Sequence, residues 1–191
     1  MRKFTDFFLA GRALTLALAE LGYTLVYCSE IIQPASVQAS STVTETVKKN
    51  MQLFDLGNEQ ARREAIVAPI LSESAAVSQG RIYTEQPVIT DELGGSVDYW
   101  VVGRTTVLII EAKNDDIERG LGQLCAELIA ASSQPDASDP LYGVITSGRE
   151  WRFATIDTTN KQIVADQQVY AVPAQIEVVV RLLVAILGGK A

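Results

Sequence analysis

Three consecutive runs of strand-forming residues, separated by short glycine-containing turns, constrain the fold of this chain most strongly. The runs cover 81–89, 96–103 and 106–113, and each is rich in β-branched and aromatic residues. Gly94-Gly95 precedes the second run, and Gly103-Arg104 separates it from the third. Because parallel strands need long crossover connections, turns this short predict an antiparallel meander.

Helical and further strand patterns flank the meander. Residues 58–72 begin with an N-cap asparagine and carry apolar residues along one face, which predicts a helix with a kink at Pro69. Apolar residues at helical spacing predict a second helix from Ile117 to about Ala131. We then expect strands over 141–146 and 150–156, an edge strand over 162–171 and a final helix over 174–188. This order predicts a mixed α/β or α+β fold.

The first 50 residues are predicted to form an appendage to a domain that covers 51–191. Within them we expect a helix over 4–21 and a strand over 23–32. The stretch PASVQASSTVT at 34–44 is small, polar and without periodicity, which is typical of a linker.

Composition excludes several classes of protein. The 191 residues include no histidine, which removes hydrolases with an imidazole base and histidine-ligated zinc sites. A net charge of −7 argues against coating nucleic acid by bulk positive charge, but not against a local basic groove. Cys28 and Cys125 have no metal-ligand spacing and are interpreted as buried, reduced thiols of a cytoplasmic protein. Asp6, Arg12 and Glu20 interrupt the apolar N-terminus, so neither a signal peptide nor a membrane association is predicted.

Two carboxylates and a lysine lie near the ends of the second and third predicted strands. Glu111 and Lys113 in IIEAK share one face, because side chains alternate along a strand. Asp98 in GSVDYW lies 13 positions before Glu111, and antiparallel pairing would bring the two carboxylates together. Neighbouring carboxylates repel unless a cation neutralises them, and oxygen ligands favour Mg²⁺ or Mn²⁺. An ordinary surface ion pair is the alternative.

At these residues the chain resembles the PD-(D/E)XK nuclease superfamily. The resemblance rests on GSVDYW for the motif aspartate, IIEAK for the E-x-K and GQLCAEL for a glutamine-bearing helix. The run LYGVITSGREWRF resembles the nuclease domain of type I restriction subunits. REAIVAPIL and EAKNDDIERGLGQLCAEL are similar to a group of uncharacterised bacterial, notably cyanobacterial, proteins. The resemblance covers roughly 58–157, with Val97 in place of the motif proline, and implies a restriction-endonuclease-like core.

The resemblance also implies roles for individual residues. Asp98 and Glu111 are the implied ligands of Mg²⁺ or Mn²⁺, with the Ala112 carbonyl as a further candidate. Lys113 is implied to position the attacking water and to stabilise negative charge on the scissile phosphate. This chemistry needs no histidine, in agreement with the composition.

Further polar residues are candidates for the same site, each with a solvated helix face as the alternative. The superfamily often adds a helical glutamate, for which Glu64 is preferred over Glu59. Gln123 could bind a phosphate or a lysine, and Glu127 shares its helix face. Arg149 and Arg152, around the Gly148 turn, could touch phosphates, but surface solubility explains them equally well. Among the strand aromatics, core packing is favoured over base stacking for Tyr99, Trp100, Trp151 and Phe153.

The sequence therefore predicts a metal-dependent, endonuclease-like phosphodiesterase that acts on DNA. The rival hypothesis is a catalytically silent nuclease fold that binds nucleic acid or protein, and the acidic net charge favours it modestly. A dimerising scaffold is a third hypothesis. The last helix is apolar around most of its circumference, which predicts a homodimer, with a core helix in a monomer as the alternative.

Overall fold

A mixed β-sheet lies between two layers of helices in this computed structural model. The structure describes residues 1–37, 41–104, 107–112, 116–134, 137 and 140–188. For residues 107–109, 111 and 112 it describes the backbone alone. In chain order the helices are α1 (Gly11–Glu20), α2 (Ser41–Leu53), α3 (Glu59–Arg62), α4 (Ala68–Ser78), α5 (Ile117–Ser132) and α6 (Ile176–Ile186). The strands are β1 (Arg2–Lys3), β2 (Thr24–Cys28), β3 (Arg81–Ile89), β4 (Leu93–Val102), β5 (Val107–Ala112), β6 (Leu141–Thr146), β7 (Glu150–Asp157), β8 (Gln162–Asp166) and β9 (Tyr170–Ala171).

The strand order confirms the mixed α and β architecture and the central meander. Strands run in the order β1-β4-β5-β6-β7-β8-β2, with β3 paired to β4 and β9 paired to β7. The pairs β3–β4 and β4–β5 are antiparallel. The pair β5–β6 is parallel, and α5 provides the crossover between its strands. The prediction of an edge strand over 162–171 was wrong, because β8 lies between β7 and β2.

Each face of the sheet is covered by its own set of helices. One apolar cluster combines residues of α1 and α5 with the turn Phe4–Phe7. The other combines residues of α2, α4 and α6 with the π-helical turn Arg63–Val67. In the described part of the chain, no helix has the length and apolar character that a membrane span requires.

Two local predictions need correction. The predicted linker over 34–44 overlaps α2, which begins at Ser41 and buries Val43 and Val47 against the second cluster. The interpretation of both cysteines as buried was wrong for Cys28, which is exposed, whereas Cys125 is buried within α5.

A π-helical turn accommodates the proline in the helix predicted over 58–72. Pro69 has no amide proton and therefore cannot donate to the Ala65 carbonyl. The chain forms the π-helical turn just before Pro69, and the Asn50 side chain of α2 donates to the Ala65 oxygen at 3.0 Å. A side chain of another helix thus satisfies the carbonyl that the proline leaves without its usual donor.

Replacing Asn50 by alanine tests this contact. Asn50→Ala should lower the free energy of unfolding by about 1–2 kcal/mol, since a partly buried carbonyl loses its donor. The exposed neighbour Gln52 serves as control, and Gln52→Ala should change stability little. Urea unfolding measures both, and equal stabilities would contradict the assigned role.

The N-terminal segment contributes to the same sheet and core as the rest of the chain. β1 pairs with β4, and β2 pairs with β8. Phe4 and Phe7 are buried, and a Cβ at Gly122 of α5 would lie 2.2 Å from the Phe7 carbonyl oxygen. The predicted boundary near residue 50, between an N-terminal appendage and a domain over 51–191, stays a prediction.

Limited proteolysis tests that boundary. We expect cleavage between Pro34 and Thr44. Because the first core cluster includes Phe4, Phe7 and Leu18, the two fragments should still elute together under native conditions and separate only in denaturant. Resistance of this stretch while other loops are cut would contradict the boundary, and separation without denaturant would contradict the packing.

Candidate functional site

Two different strands, β1 and β5, pair with the same edge of β4, and a gap lies between their pairings. On one edge, β3 pairs along β4 from Gly94 to Val102. On the other edge, β1 pairs at Leu93 and Gly94, whereas β5 pairs from Tyr99 to Val102. Among the described pairings, residues 95–98 therefore have no strand partner on this second edge, and Asp98 ends the gap beside β5.

The sheet is distorted at the level of Asp98. Val97 packs in the first apolar cluster and Tyr99 in the second, although residues two apart share a face in a regular strand. The partner strand β3 changes sides at the same level. Ile82 and Val88 would share a face in a regular strand, but Ile82 packs in the second cluster and Val88 in the first. Between them Glu85 has a φ of 51°, a left-handed conformation that is uncommon for a residue other than glycine. Such irregularities are frequent beside active sites.

The guanidinium of Arg63 bridges the two acidic residues at this level. Nη1 donates to Asp98 Oδ1 at 3.1 Å, and Nη2 donates to Glu85 Oε1 at 2.9 Å. Nε approaches the Tyr99 hydroxyl at 3.5 Å, and the guanidinium carbon lies 5.0 Å from the centroid of the Tyr99 ring. The side chains of Arg63 and Asp98 are only 14% and 13% exposed. Burial alone would lower the pKa of Arg63, but the Tyr99 hydroxyl, Asp98 and Glu85 outweigh it and raise that pKa.

Glu111 follows directly after the residue that pairs with Tyr99. The register places Tyr99 opposite Ile110, so Asp98 and Glu111 are the next residues of the two antiparallel strands. Glu111 also pairs with Ile145 of β6 through its backbone. Its side chain, and the whole of Lys113, lie outside the described residues. The register therefore places the two residues one position beyond the last described β4–β5 pair, and the proximity of their carboxylates stays a prediction.

Gln123 and Glu127 of α5 are both buried. Gln123 is 4% exposed and Glu127 0%, and Gln123 Nε2 donates to Glu127 Oε1 at 2.9 Å. Gln123 also lines a cavity of about 340 Å³ together with Phe4, Gly95 and Ser96. The cavity therefore adjoins the gap in β4, on the face that α5 covers.

The candidate helical acids have other surroundings. The Glu64 side chain is exposed and accepts a hydrogen bond from Gln60 Nε2 at 2.7 Å. Glu59 is half-buried in the first turn of α3. Sequence reasoning missed the neighbouring Arg63, which contacts Asp98. The available signal was the pair Arg62-Arg63, which only Glu64 separates from the apolar stretch of the helix.

The strand aromatics and arginines fall into distinct groups. Tyr99, Trp151 and Phe153 are buried in the second cluster, as expected for core residues. Trp100 is half-buried and lines an open groove of about 390 Å³. Arg152 is buried and pairs with Glu118 at 2.6 Å, whereas Arg149 is exposed.

Among the described residues there is no metal-binding cluster, and the chain matches no family model. Across the described side chains, which do not include that of Glu111, no three Cys, Asp or Glu residues are grouped so as to hold a metal ion. No protein-family model matches the chain, and no curated protein shows a significant match to it.

Substitutions at Glu85 test the distortion. Glu85→Gly should leave the free energy of unfolding within about 1 kcal/mol of the parent, because glycine tolerates a positive φ and the exposed ion pair contributes little. Glu85→Val should lower it by about 1–2 kcal/mol, since β-branched residues disfavour this conformation.

The neighbouring position provides the control for that comparison. Thr84 is exposed and its φ is not positive, so Thr84→Val should be tolerated. Urea unfolding of the three variants gives the comparison. If valine is tolerated equally well at positions 84 and 85, the left-handed backbone conformation assigned to Glu85 is wrong.

Proposed function

We propose that this protein is a metal-dependent nuclease of the PD-(D/E)XK type that hydrolyses phosphodiester bonds of DNA. Asp98 and Glu111 are the proposed ligands of Mg²⁺ or Mn²⁺, and Lys113 is the proposed stabiliser of the scissile phosphate. Glu64 remains the proposed helical acid, and Gln123 a residue that contacts the phosphate or Lys113.

One observation carries the proposal. A nearly buried carboxylate, that of Asp98, lies where the sheet opens between β1 and β5, and Glu111 is the next residue in register on β5. Acidic residues are rarely buried without a functional or electrostatic reason. The order of a helix, an antiparallel meander, a crossover helix and a parallel strand also agrees with the core that the resemblance implies.

The donor set fits a hard divalent cation. Asp98 and Glu111 offer carboxylate oxygens, which Mg²⁺ and Mn²⁺ prefer, and the chain offers no histidine that would favour zinc. A bound Mg²⁺ would acidify a water molecule and polarise a phosphate oxygen.

The remaining residues supply positioning and charge. In this proposal Lys113 supplies an ammonium that would stabilise the negative charge developing on the phosphate, as a preorganised donor does. Gln123 contributes an amide from the buried face of α5, next to the gap in β4.

Two observations favour the rival proposal of a catalytically silent module that binds nucleic acid or protein. Asp98 is already paired with Arg63, and the chain carries a net charge of −7. Since phosphate contacts by Lys and Arg provide most nonspecific affinity for DNA, an acidic protein needs a localised binding site. Nucleic-acid binding without any cleavage would support this rival.

A cytoplasmic homodimer is the proposed form of the protein. The dimer was predicted from the apolar circumference of α6, but Ile176, Val179 and Leu183 are buried within this one chain. Packing against α4 and the sheet accounts for them, so the helix does not by itself require a second copy. The homodimer stays a prediction.

Substitutions of Glu111 and Lys113 test the nuclease. Glu111→Ala should lose both Mn²⁺ binding and cleavage of a mixed DNA pool, because it removes a ligand. Lys113→Ala should bind Mn²⁺ as well as the parent or slightly better, because a neighbouring cation is gone. Its cleavage rate should fall by about 10²-fold or more, as for a lost transition-state donor. Calorimetry and gel assays provide the measurements.

Glu92 supplies the control for these variants. It is an exposed carboxylate in the turn before β4, at the opposite end of the strand from the β5 pairing, and Glu92→Ala should behave as the parent does. Unchanged Mn²⁺ affinity in Glu111→Ala, or an unchanged rate in Lys113→Ala, would mean that these residues form an ordinary surface ion pair.

A further inference from the structure

Arg63 donates a hydrogen bond to one oxygen of the Asp98 carboxylate, which is proposed to bind the metal. Its Nη1 lies 3.1 Å from Asp98 Oδ1, and both side chains are largely buried. A guanidinium keeps its charge at any ordinary pH, so the positive charge beside Asp98 is permanent. A divalent cation at the same oxygen would meet this charge at close range, where water screens it poorly.

The other contacts of Arg63 do not depend on Asp98. Nη2 pairs with Glu85 Oε1 at 2.9 Å, and the guanidinium lies over the ring of Tyr99. Glu85 is 61% exposed, so its contact with Arg63 lies near the surface of the protein. If the bond to Asp98 is broken, the contacts with Glu85 and Tyr99 remain to hold Arg63 beside the site.

We propose that Arg63 holds Asp98 in the metal-free protein and acts as a catalytic residue that pairs with the phosphodiester of the substrate once Asp98 is released. This inference rests on the proposed nuclease function. The planar fork of a guanidinium matches a carboxylate and a phosphate equally well, which makes the exchange of partners chemically simple. The resting protein thereby keeps its buried carboxylate neutralised without a metal, and the arginine becomes available at the site when substrate arrives.

Removing the guanidinium of Arg63 should change Mn²⁺ affinity and kcat in opposite directions, which the loss of a purely structural arginine would not do. Arg63→Gln removes the competing charge, so the affinity for Mn²⁺ should rise by at least about tenfold, the scale on which one neighbouring charge alters a carboxylate. The same variant lacks the phosphate partner, so its kcat should fall by about 10²-fold. An arginine that only braces β3 against β4 would leave Mn²⁺ affinity unchanged or weaken it.

Arg181 gives a matched control. It is a half-buried arginine of α6 whose Nε donates to the Ala35 carbonyl at 2.7 Å, and its described contacts do not include Asp98. Arg181→Gln should therefore leave Mn²⁺ affinity as in the parent. Mn²⁺ binding by calorimetry, DNA cleavage kinetics and circular dichroism are measured on the full chain for the parent and each variant.

The outcomes distinguish failure of the inference from failure of the proposed function. Tighter Mn²⁺ binding with slower cleavage in Arg63→Gln supports the inference, as does binding by this variant when the parent binds none. Equal or weaker binding by folded Arg63→Gln, with binding by the parent intact, overturns the inference alone. Absence of Mn²⁺ binding in every protein overturns both.

A second variant keeps the test decisive if Arg63→Gln does not fold. Arg63→Lys retains the charge but lacks the planar fork that spans Asp98 and Glu85. Because a single ammonium cannot span both carboxylates, a metal ion displaces it from Asp98 more easily, so the Mn²⁺ affinity should lie above that of the parent. The kcat should lie below, because the planar fork that would pair with the phosphate is lost. A folded Arg63→Lys with parental affinity and rate would overturn the inference.

Discussion

Strand β4 pairs with three other strands, and the positions of Asp98 and Glu111 follow from that constraint. β3 occupies one edge of β4 over most of its length, while β1 and β5 share the other edge. The stretch between their pairings, residues 95–98, is where the sheet opens. A polar side chain is best tolerated at such a place, because the regular ladder and its apolar surroundings are interrupted there. Asp98 occupies the end of this stretch, and Arg63 neutralises it.

The parts of the fold that depend on short-range patterns could be predicted from the sequence. The bounds of β3 and β6 were predicted correctly, since short runs of strand-forming residues bounded by turns mark them locally. Asp98 and Glu111 were correctly placed in adjacent strands for the same reason. The pairing of β2 with β8 and the packing of the Phe7 carbonyl on Gly122 join residues more than 100 positions apart, which no local pattern reveals.

The candidate site contains a feature that could not be predicted, because two rules that usually hold fail there. Charged residues on a helix are usually solvated, yet Arg63 turns inward to Asp98. Side chains of a strand usually alternate, yet both β3 and β4 change sides at the level of Glu85 and Asp98. Violations of local rules concentrate where function or strain is located. This coincidence gives the site a physical basis that is independent of any sequence motif.

The central claim is that a divalent metal ion binds between Asp98 and Glu111. A crystal grown with Mn²⁺, with diffraction data collected at a wavelength where manganese scatters anomalously, tests it most directly. The account predicts one strong anomalous peak within coordination distance of both carboxylates, with the Arg63 guanidinium withdrawn from Asp98. A structure at saturating Mn²⁺ with no peak at this position, and with Arg63 still paired to Asp98, would contradict it.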